Sequence, residues 1–173
     1  MSPEDIKALI KDVPDFPKPG IVFKDITPLL SSATAFSSIT DYLADRANAH
    51  DADGILAIES RGFIFGAALA DRVGLPMHLV RKRGKLPRAT VSMEYELEYG
   101  TDHIEIHADV IKGGGRYLIV DDVIATGGTA AAVARLVEEQ GGVVAACLFV
   151  LELGFLDGRS QLNGQVIESL LTI

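Results

Sequence analysis

The sequence predicts an α/β fold with a mainly parallel central sheet flanked by helices, and two observations carry that expectation. Short apolar runs of strand length alternate with segments whose apolar residues recur at helical spacing. One such run ends in two adjacent acids and a glycine-rich turn, and an alanine-rich helical segment follows directly. Strands separated by helices make βαβ units, whose strands lie parallel.

The elements follow in order. Ser2-Pro3-Glu4-Asp5 reads as an N-cap, a first-turn proline and first-turn acids, and Ile6, Leu9 and Ile10 give the apolar stripe of a short helix. Phe16-Pro17-Lys18-Pro19-Gly20 stops it, because two prolines and a glycine cannot continue a helix. Phe36, Ile39, Leu43 and Ala47 recur at the spacing of a second helix. Residues 54–58 form a short apolar run suited to a strand buried on both faces. Residues 62–73 read as helix and 75–80 as strand. Residues 81–100 lack a steady period and are rich in charge, so a long loop or an exposed hairpin is expected. Lys112-Gly113-Gly114-Gly115 is a turn before the strand at 116–120. A helix at 128–140, a strand at 143–151 and a final strand at 166–171 complete the chain. With 173 residues and no internal repeat, linker or low-complexity stretch, one domain with a small N-terminal appendage is expected.

Composition excludes several functions. The chain is 48% hydrophobic and 23% charged, as an ordinary globular protein is. A formal net charge of −8 argues against a surface that binds nucleic acid or anionic membrane without sequence preference. It leaves room for a small basic pocket, which Arg81, Lys82, Arg83 and Lys85 suggest. The single cysteine, Cys147, lies in an apolar run and reads as a buried thiol rather than a nucleophile. No secretory signal opens the chain, and no apolar run approaches the roughly 18–20 residues of a membrane span, so a cytoplasmic address is expected. His50, His78, His103 and His107 show no metal-site spacing.

The strongest chemical signal is Leu118-Ile119-Val120-Asp121-Asp122-Val123-Ile124-Ala125-Thr126-Gly127-Gly128-Thr129. In an open α/β sheet, ligands sit beyond the carboxyl ends of the strands, where this turn must lie. The glycines let backbone N–H groups approach a phosphate, the threonine hydroxyls add donors, and the helix N-terminus adds a favourable dipole. Adjacent carboxylates would repel a bare phosphate but suit a sugar diol. A diol beside a phosphate points to ribose 5-phosphate. No Gly-Lys-Ser/Thr follows, so this is no Walker loop. A second strand end, Ile58-Glu59-Ser60-Arg61-Gly62-Phe63, places an arginine at a tight turn, where it can chelate pyrophosphate in bidentate fashion.

The first motif resembles the phosphoribosyl pyrophosphate (PRPP) signature of the type I phosphoribosyltransferases, and the resemblance implies that family's fold. By it, Asp121 and Asp122 hold the ribose hydroxyls, and Ala125, Thr126, Gly127, Gly128 and Thr129 cradle the 5-phosphate. Ser60 and Arg61 fall on the pyrophosphate loop, where a cis non-proline peptide is expected. Glu-Ser-Arg-Gly-Phe is similar to the adenine-using branch. Arg81, Lys82 and Lys85 follow a strand bordering the same pocket and are candidates for pyrophosphate, without a choice among them.

Residues 16–30 closely resemble the N-terminal hood of the adenine-using branch, implying a hood over residues 1–33. Pro17 and Pro19 cut the entropy lost on ordering, and Ile21-Val22-Phe23 offers apolar surface to a purine face. Val22 and Lys24 are implied to read adenine through main-chain groups, and Leu153 to pack on the base. Tyr95-Glu96-Leu97-Glu98-Tyr99-Gly100 resembles the family's flexible catalytic loop, taken as residues 81–107. That marks Glu98 as the catalytic carboxylate and Tyr99 as a gate; spacing alone leaves Glu96 an equal candidate.

The matches run from Phe16 to Leu153 in family order. They imply a purine salvage enzyme making AMP and pyrophosphate from adenine and PRPP. Mg²⁺ is expected as cofactor, held mainly by PRPP and water rather than a dedicated protein site, and a homodimer is expected. A phosphoribosyltransferase for another purine base, or a PRPP-sensing regulator, is the alternative; the regulator would need a DNA- or RNA-binding element.

Overall fold

The computed structural model describes residues 1–96 and 100–173, in two compact units, Met1–Tyr42 and Leu43–Ile173.

In the first unit, α1 (Pro3–Lys7) opens with the expected cap: Ser2 Oγ accepts from the Asp5 N–H at 3.2 Å, and the Asp5 carboxylate accepts from the Ser2 N–H at 3.2 Å. The helix is shorter than its apolar stripe suggested. β1 (Lys11–Pro14) and β2 (Val22–Asp25) then form an antiparallel ribbon with Pro14 opposite Val22. The Phe16–Pro17 bond between them is cis. Every residue of β1 is exposed, so no alternation in the sequence marked it. α2 (Thr27–Leu30) follows, and α3 (Ala33–Asn48) begins in this unit and ends in the second.

The second unit is a seven-stranded sheet. Its elements are β3 (Gly54–Ile58), α4 (Gly62–Val73), β4 (Met77–Lys82), β5 (Thr90–Glu96), β6 (Thr101–His107), β7 (Arg116–Ile124), α5 (Gly128–Glu139), β8 (Val143–Glu152) and β9 (Ile167–Thr172). The strand order is β5-β6-β4-β3-β7-β8-β9. β4, β3, β7, β8 and β9 run parallel, while β6 is antiparallel to both β4 and β5. Within the stretch expected to be a loop or a hairpin, residues 90–96 pair with β6 and extend the main sheet.

Side-chain alternation sorts the two helices. Leu56, Ile58, Ile119, Cys147 and Phe149 share a buried cluster with Ala130, Val133 and Val137 of α5. Ala57 points the other way, and α4 packs there so closely that a Cβ at Gly66 would lie 2.6 Å from the Ala57 Cβ. The Cys147 thiol is fully buried, and burial pushes its pKa up to about 12. Among the described residues, no helix is long and apolar enough to cross a membrane.

Candidate active site

Parallel strands put the carboxyl ends of β3, β4, β7 and β8 along one edge of the sheet, and residues 60–61, 81–85, 125–129 and 153 lie at or just beyond these ends. β7 continues to Ile124, so Asp121 and Asp122 sit inside the strand rather than after it. Residues 125–127 turn the chain into α5. Gly127 has φ +83°, in the left-handed region that glycine adopts readily. A cavity of about 100 Å³ lies over this turn, lined by Asp121, Ala125, Thr126, Gly127, Gly128, Thr129 and Phe149 among others. The first N–H groups of α5 have no partner within the helix and carry its positive dipole end, so this cavity favours an anion.

A second cavity, about 260 Å³, is lined by Glu59, Arg81, Lys82, Tyr95, Asp102, Asp121 and Thr129 among others. Asp121 and Thr129 belong to both linings, so the two spaces adjoin. The cations here are held by carboxylates. Glu59 accepts from Arg81 Nε at 3.2 Å and from the Lys82 N–H at 3.0 Å. Burial works against the Glu59 charge, but these donors outweigh it and its pKa lies below the usual range. Lys82 Nζ lies 3.3 Å from Asp102, whose pKa is lowered chiefly by the His103 N–H. Buried Glu105 accepts from the Gly84 N–H at 3.0 Å, fixing the turn after β4.

The paired acids differ in environment. Asp121 accepts from the Asp122 N–H at 2.8 Å, and its pKa is raised well above the ordinary carboxylate value, first by burial and then by the neighbouring Asp122 charge. Asp122 is 4% exposed, with Oδ2 2.6 Å from Arg61 Nε, an ion-pair contact without hydrogen-bond alignment. Gly62 makes this junction possible: a Cβ there would stand 2.8 Å from Asp121 Oδ1 and 2.9 Å from the Val120 carbonyl oxygen.

Asp121 and residues 125–129 thus come together around one cavity, and Arg81 and Lys82 join Asp121 and Thr129 around the next. Arg61 occupies the N-cap of α4, beyond the cis Glu59–Ser60 bond. Lys85 lends its carbonyl to Arg81 at 3.2 Å and is in neither lining. Leu153 follows β8 and donates its N–H to the Ile124 carbonyl at 3.0 Å. In the first unit, Val22 is exposed, Phe23 meets Phe16 edge-on at 5.2 Å, and Lys24 Nζ lies 2.6 Å from Asp12. Glu98 and Tyr99 lie outside the described residues. Glu96 is exposed and lines a third cavity with Arg135 and Gln161. Among the described residues, no three His, Cys, Asp or Glu side chains gather as metal ligands.

The sequence reading passed over Glu105, Asp102 and Gly158. A Cβ on Gly127 would strike the Gly158 carbonyl oxygen, so this remote glycine backs the turn at 125–127. Asp157-Gly158 signals a turn, but nothing in the sequence says what the turn packs against.

Comparison with known proteins accords with this geometry. Residues 29–161 match the family described as phosphoribosyl transferase domain. The chain is 54% identical over 171 residues to the adenine phosphoribosyltransferase of Thermoanaerobacter sp., covering 99% of each protein. Its fold is similar to the crystal structure of adenine phosphoribosyltransferase from Thermoanaerobacter pseudethanolicus, with a TM-score of 0.96, 53% identity, and coverage of 99% of this chain and 100% of the other. It is also similar to the Saccharomyces cerevisiae adenine phosphoribosyltransferase complexed with D-2,5-dideoxy-2,5-imino-altritol 1,6-bisphosphate and adenine, with a TM-score of 0.91, 40% identity and 98% of each chain covered.

Proposed function

The chain belongs to the phosphoribosyl transferase domain family, and from that premise we propose that it is an adenine phosphoribosyltransferase, a purine salvage enzyme converting adenine and PRPP to AMP and pyrophosphate. The observation that carries this reading is the pair of adjoining cavities: an anion cradle at the α5 N-terminus, opening through Asp121 and Thr129 onto a space bordered by Arg81 and Lys82.

In this reading the 5-phosphate takes the N–H groups and hydroxyls of residues 125–129. Asp121 and Asp122 accept the ribose hydroxyls. The raised pKa of Asp121 comes chiefly from burial, so a sugar hydroxyl donating to it would favour its charged form. Arg61, Arg81, Lys82, Lys85 and the Ser60 turn receive pyrophosphate, and the carboxylates already holding Arg81 and Lys82 orient them for it. Val22 and Lys24 read adenine by main-chain groups, with Phe23 and Leu153 against its faces and Tyr99 as gate.

The chemistry joins adenine N9 to ribose C1′ as the C1′–oxygen bond breaks, and pyrophosphate leaves with the bonding electrons. Glu98 takes the proton that adenine gives up. The oxygen-rich second cavity, with Asp121, Glu59, Asp102 and Thr129, suits a hard cation. We assign Mg²⁺: it would be carried by PRPP and water, with Asp121 as the side chain that would hold it, and would supply positive charge to the leaving pyrophosphate. A homodimer in the cytoplasm, with residues 1–173 as a single phosphoribosyltransferase domain, completes the proposal. An assay of PRPP against adenine, hypoxanthine and guanine tests it: AMP from adenine alone is expected, and turnover of hypoxanthine in preference to adenine would refute it.

A further inference from the structure

We propose that Arg159 and Glu152 are positioning residues that set the 5-phosphate cradle by holding the Gly158 backbone against it. The proposal rests on the reading of residues 125–129 as the 5-phosphate site.

Glu152, at the end of β8, is 8% exposed and meets Arg159 fork to fork: Nε to Oε1 at 2.7 Å and the second guanidinium nitrogen to Oε2 at 2.7 Å. The remaining nitrogen donates to the Ile167 carbonyl at 3.0 Å, so Arg159 is gripped from both β8 and β9. Gly158, the residue before it, is buried bare backbone. A Cβ on Gly127 would strike the Gly158 carbonyl oxygen, a Cβ on Gly158 would strike the Ala125 carbonyl oxygen, and the Gly127 nitrogen stands 3.1 Å from that same Cβ position. Two strips of main chain are in contact with no side chain between them to absorb a shift. A displacement of Gly158 therefore passes directly to the turn that holds the phosphate.

Stability is only part of what the pair supplies. The Glu152 side chain is 10% exposed and gains from its partner, but the Arg159 side chain is 46% exposed and water replaces part of what its loss removes. What a bidentate fork supplies is direction. The strand end is secured without it: Ile173 donates to the Glu152 carbonyl at 2.9 Å, Gly154 to Ile173 at 2.8 Å and Leu153 to Ile124 at 3.0 Å. Loss of Arg159 should then free the segment around Gly158 and leave β8 and β9 in place. Leu162, buried in the α5 cluster, anchors the far end of that segment.

The test is calorimetric titration of the full chain with ribose 5-phosphate and with pyrophosphate, alongside the KM for adenine, in wild type, Arg159→Ala and Arg159→Lys. Small misplacement of a binding group costs up to about a hundredfold, so the ribose 5-phosphate Kd should rise about ten- to a hundredfold in Arg159→Ala. Arg159→Lys, which keeps charge and one donor but not the fork, should show a smaller rise. Pyrophosphate affinity and adenine KM should stay at wild-type values. If Arg159→Ala fails to fold, Arg159→Lys decides by the same pattern. An unchanged ribose 5-phosphate Kd, equal weakening of all three ligands, or a rise in adenine KM alone would each overturn the clamp. Failure of the wild-type chain itself to bind ribose 5-phosphate would overturn the phosphate reading and the clamp with it.

Discussion

The Nε of Arg61 lies 2.6 Å from Oδ2 of Asp122, tying the turn after β3 to the strand end of β7. Sequence reasoning gave the two residues to different parts of PRPP, the arginine to pyrophosphate and the acid to ribose. On the proposed reading the two subsites would share this charge pair, and changing either residue would alter both.

Arg61→Ala should weaken product inhibition by pyrophosphate and raise the KM for PRPP. It also strips the buried Asp122 of a cationic neighbour, a loss worth about 1–3 kcal/mol. Adding Asp122→Asn should restore much of that stability without restoring pyrophosphate affinity. Inhibition kinetics and thermal melts of the single and double variants check both parts, and an unchanged inhibition constant would leave Arg61 a structural partner only.

Replacing Asp121 and Asp122 together by Ala should abolish turnover and PRPP binding, with the far-ultraviolet circular dichroism unchanged. Wild-type PRPP affinity in calorimetry would remove the ribose assignment.

Asp121 alone makes a pH prediction. Burial first, and the Asp122 charge second, raise its folded pKa. Above the ordinary carboxylate range the folded state binds this proton more tightly than the unfolded chain does. Stability from this group is therefore greatest at low pH and is lost as pH rises through the folded value. Asp121→Asn cannot ionise, yet still offers an oxygen to the Asp122 N–H. It should melt at a higher temperature than wild type at neutral pH, show a flatter pH–stability slope, and bind PRPP less well. A steeper slope in the variant would contradict the assignment.

Glu98→Gln keeps size and reach but loses the charge that accepts a proton. General catalysis by a positioned carboxylate contributes roughly 10²–10⁴-fold, so kcat should fall within that range while PRPP binding holds. Glu96→Gln should behave nearly as wild type. Reversed behaviour would shift the loop register carried by Leu97-Glu98-Tyr99-Gly100 by two residues.

Gly62→Ala would press a methyl against Asp121 Oδ1 and the Val120 carbonyl. Backbone cannot yield cheaply there, and overpacking of this kind costs about 1–3 kcal/mol. A lower melting temperature together with a raised PRPP KM is expected; a variant with wild-type values for both would show that α4 can shift without disturbing the site.

Much of the fold was legible in the sequence because buried parallel strands are written as apolar runs: residues 54–58 and 116–120 both became central strands. The acids that border the first cavity stood out for a related reason, since Asp121-Asp122 interrupts such a run where packing has no use for charge. The hairpin of β5 and β6 was harder. Glu105 is buried among Ile104 and Ile106 and is satisfied by the Gly84 N–H, a partner no periodicity reveals. β1 was missed because a fully exposed strand ending in proline, with Val13 its one large apolar side chain, shows no alternation. The pairing of Arg61 with Asp122, and of Gly158 with the turn at 125–127, depends on residues far apart in the chain, and only the fold puts them side by side.

Cys147 is the single cysteine of the chain, sealed between β7, β9 and α5 with a pKa of about 12. Maleimides and iodoacetamides attack thiolates, so the wild-type chain should stay unlabelled under native conditions. A Thr101→Cys substitution, at the exposed start of β6, would then carry a fluorophore alone. Dye emission from that single position would report in real time any change at the hairpin when PRPP is added, with no background cysteine to remove first.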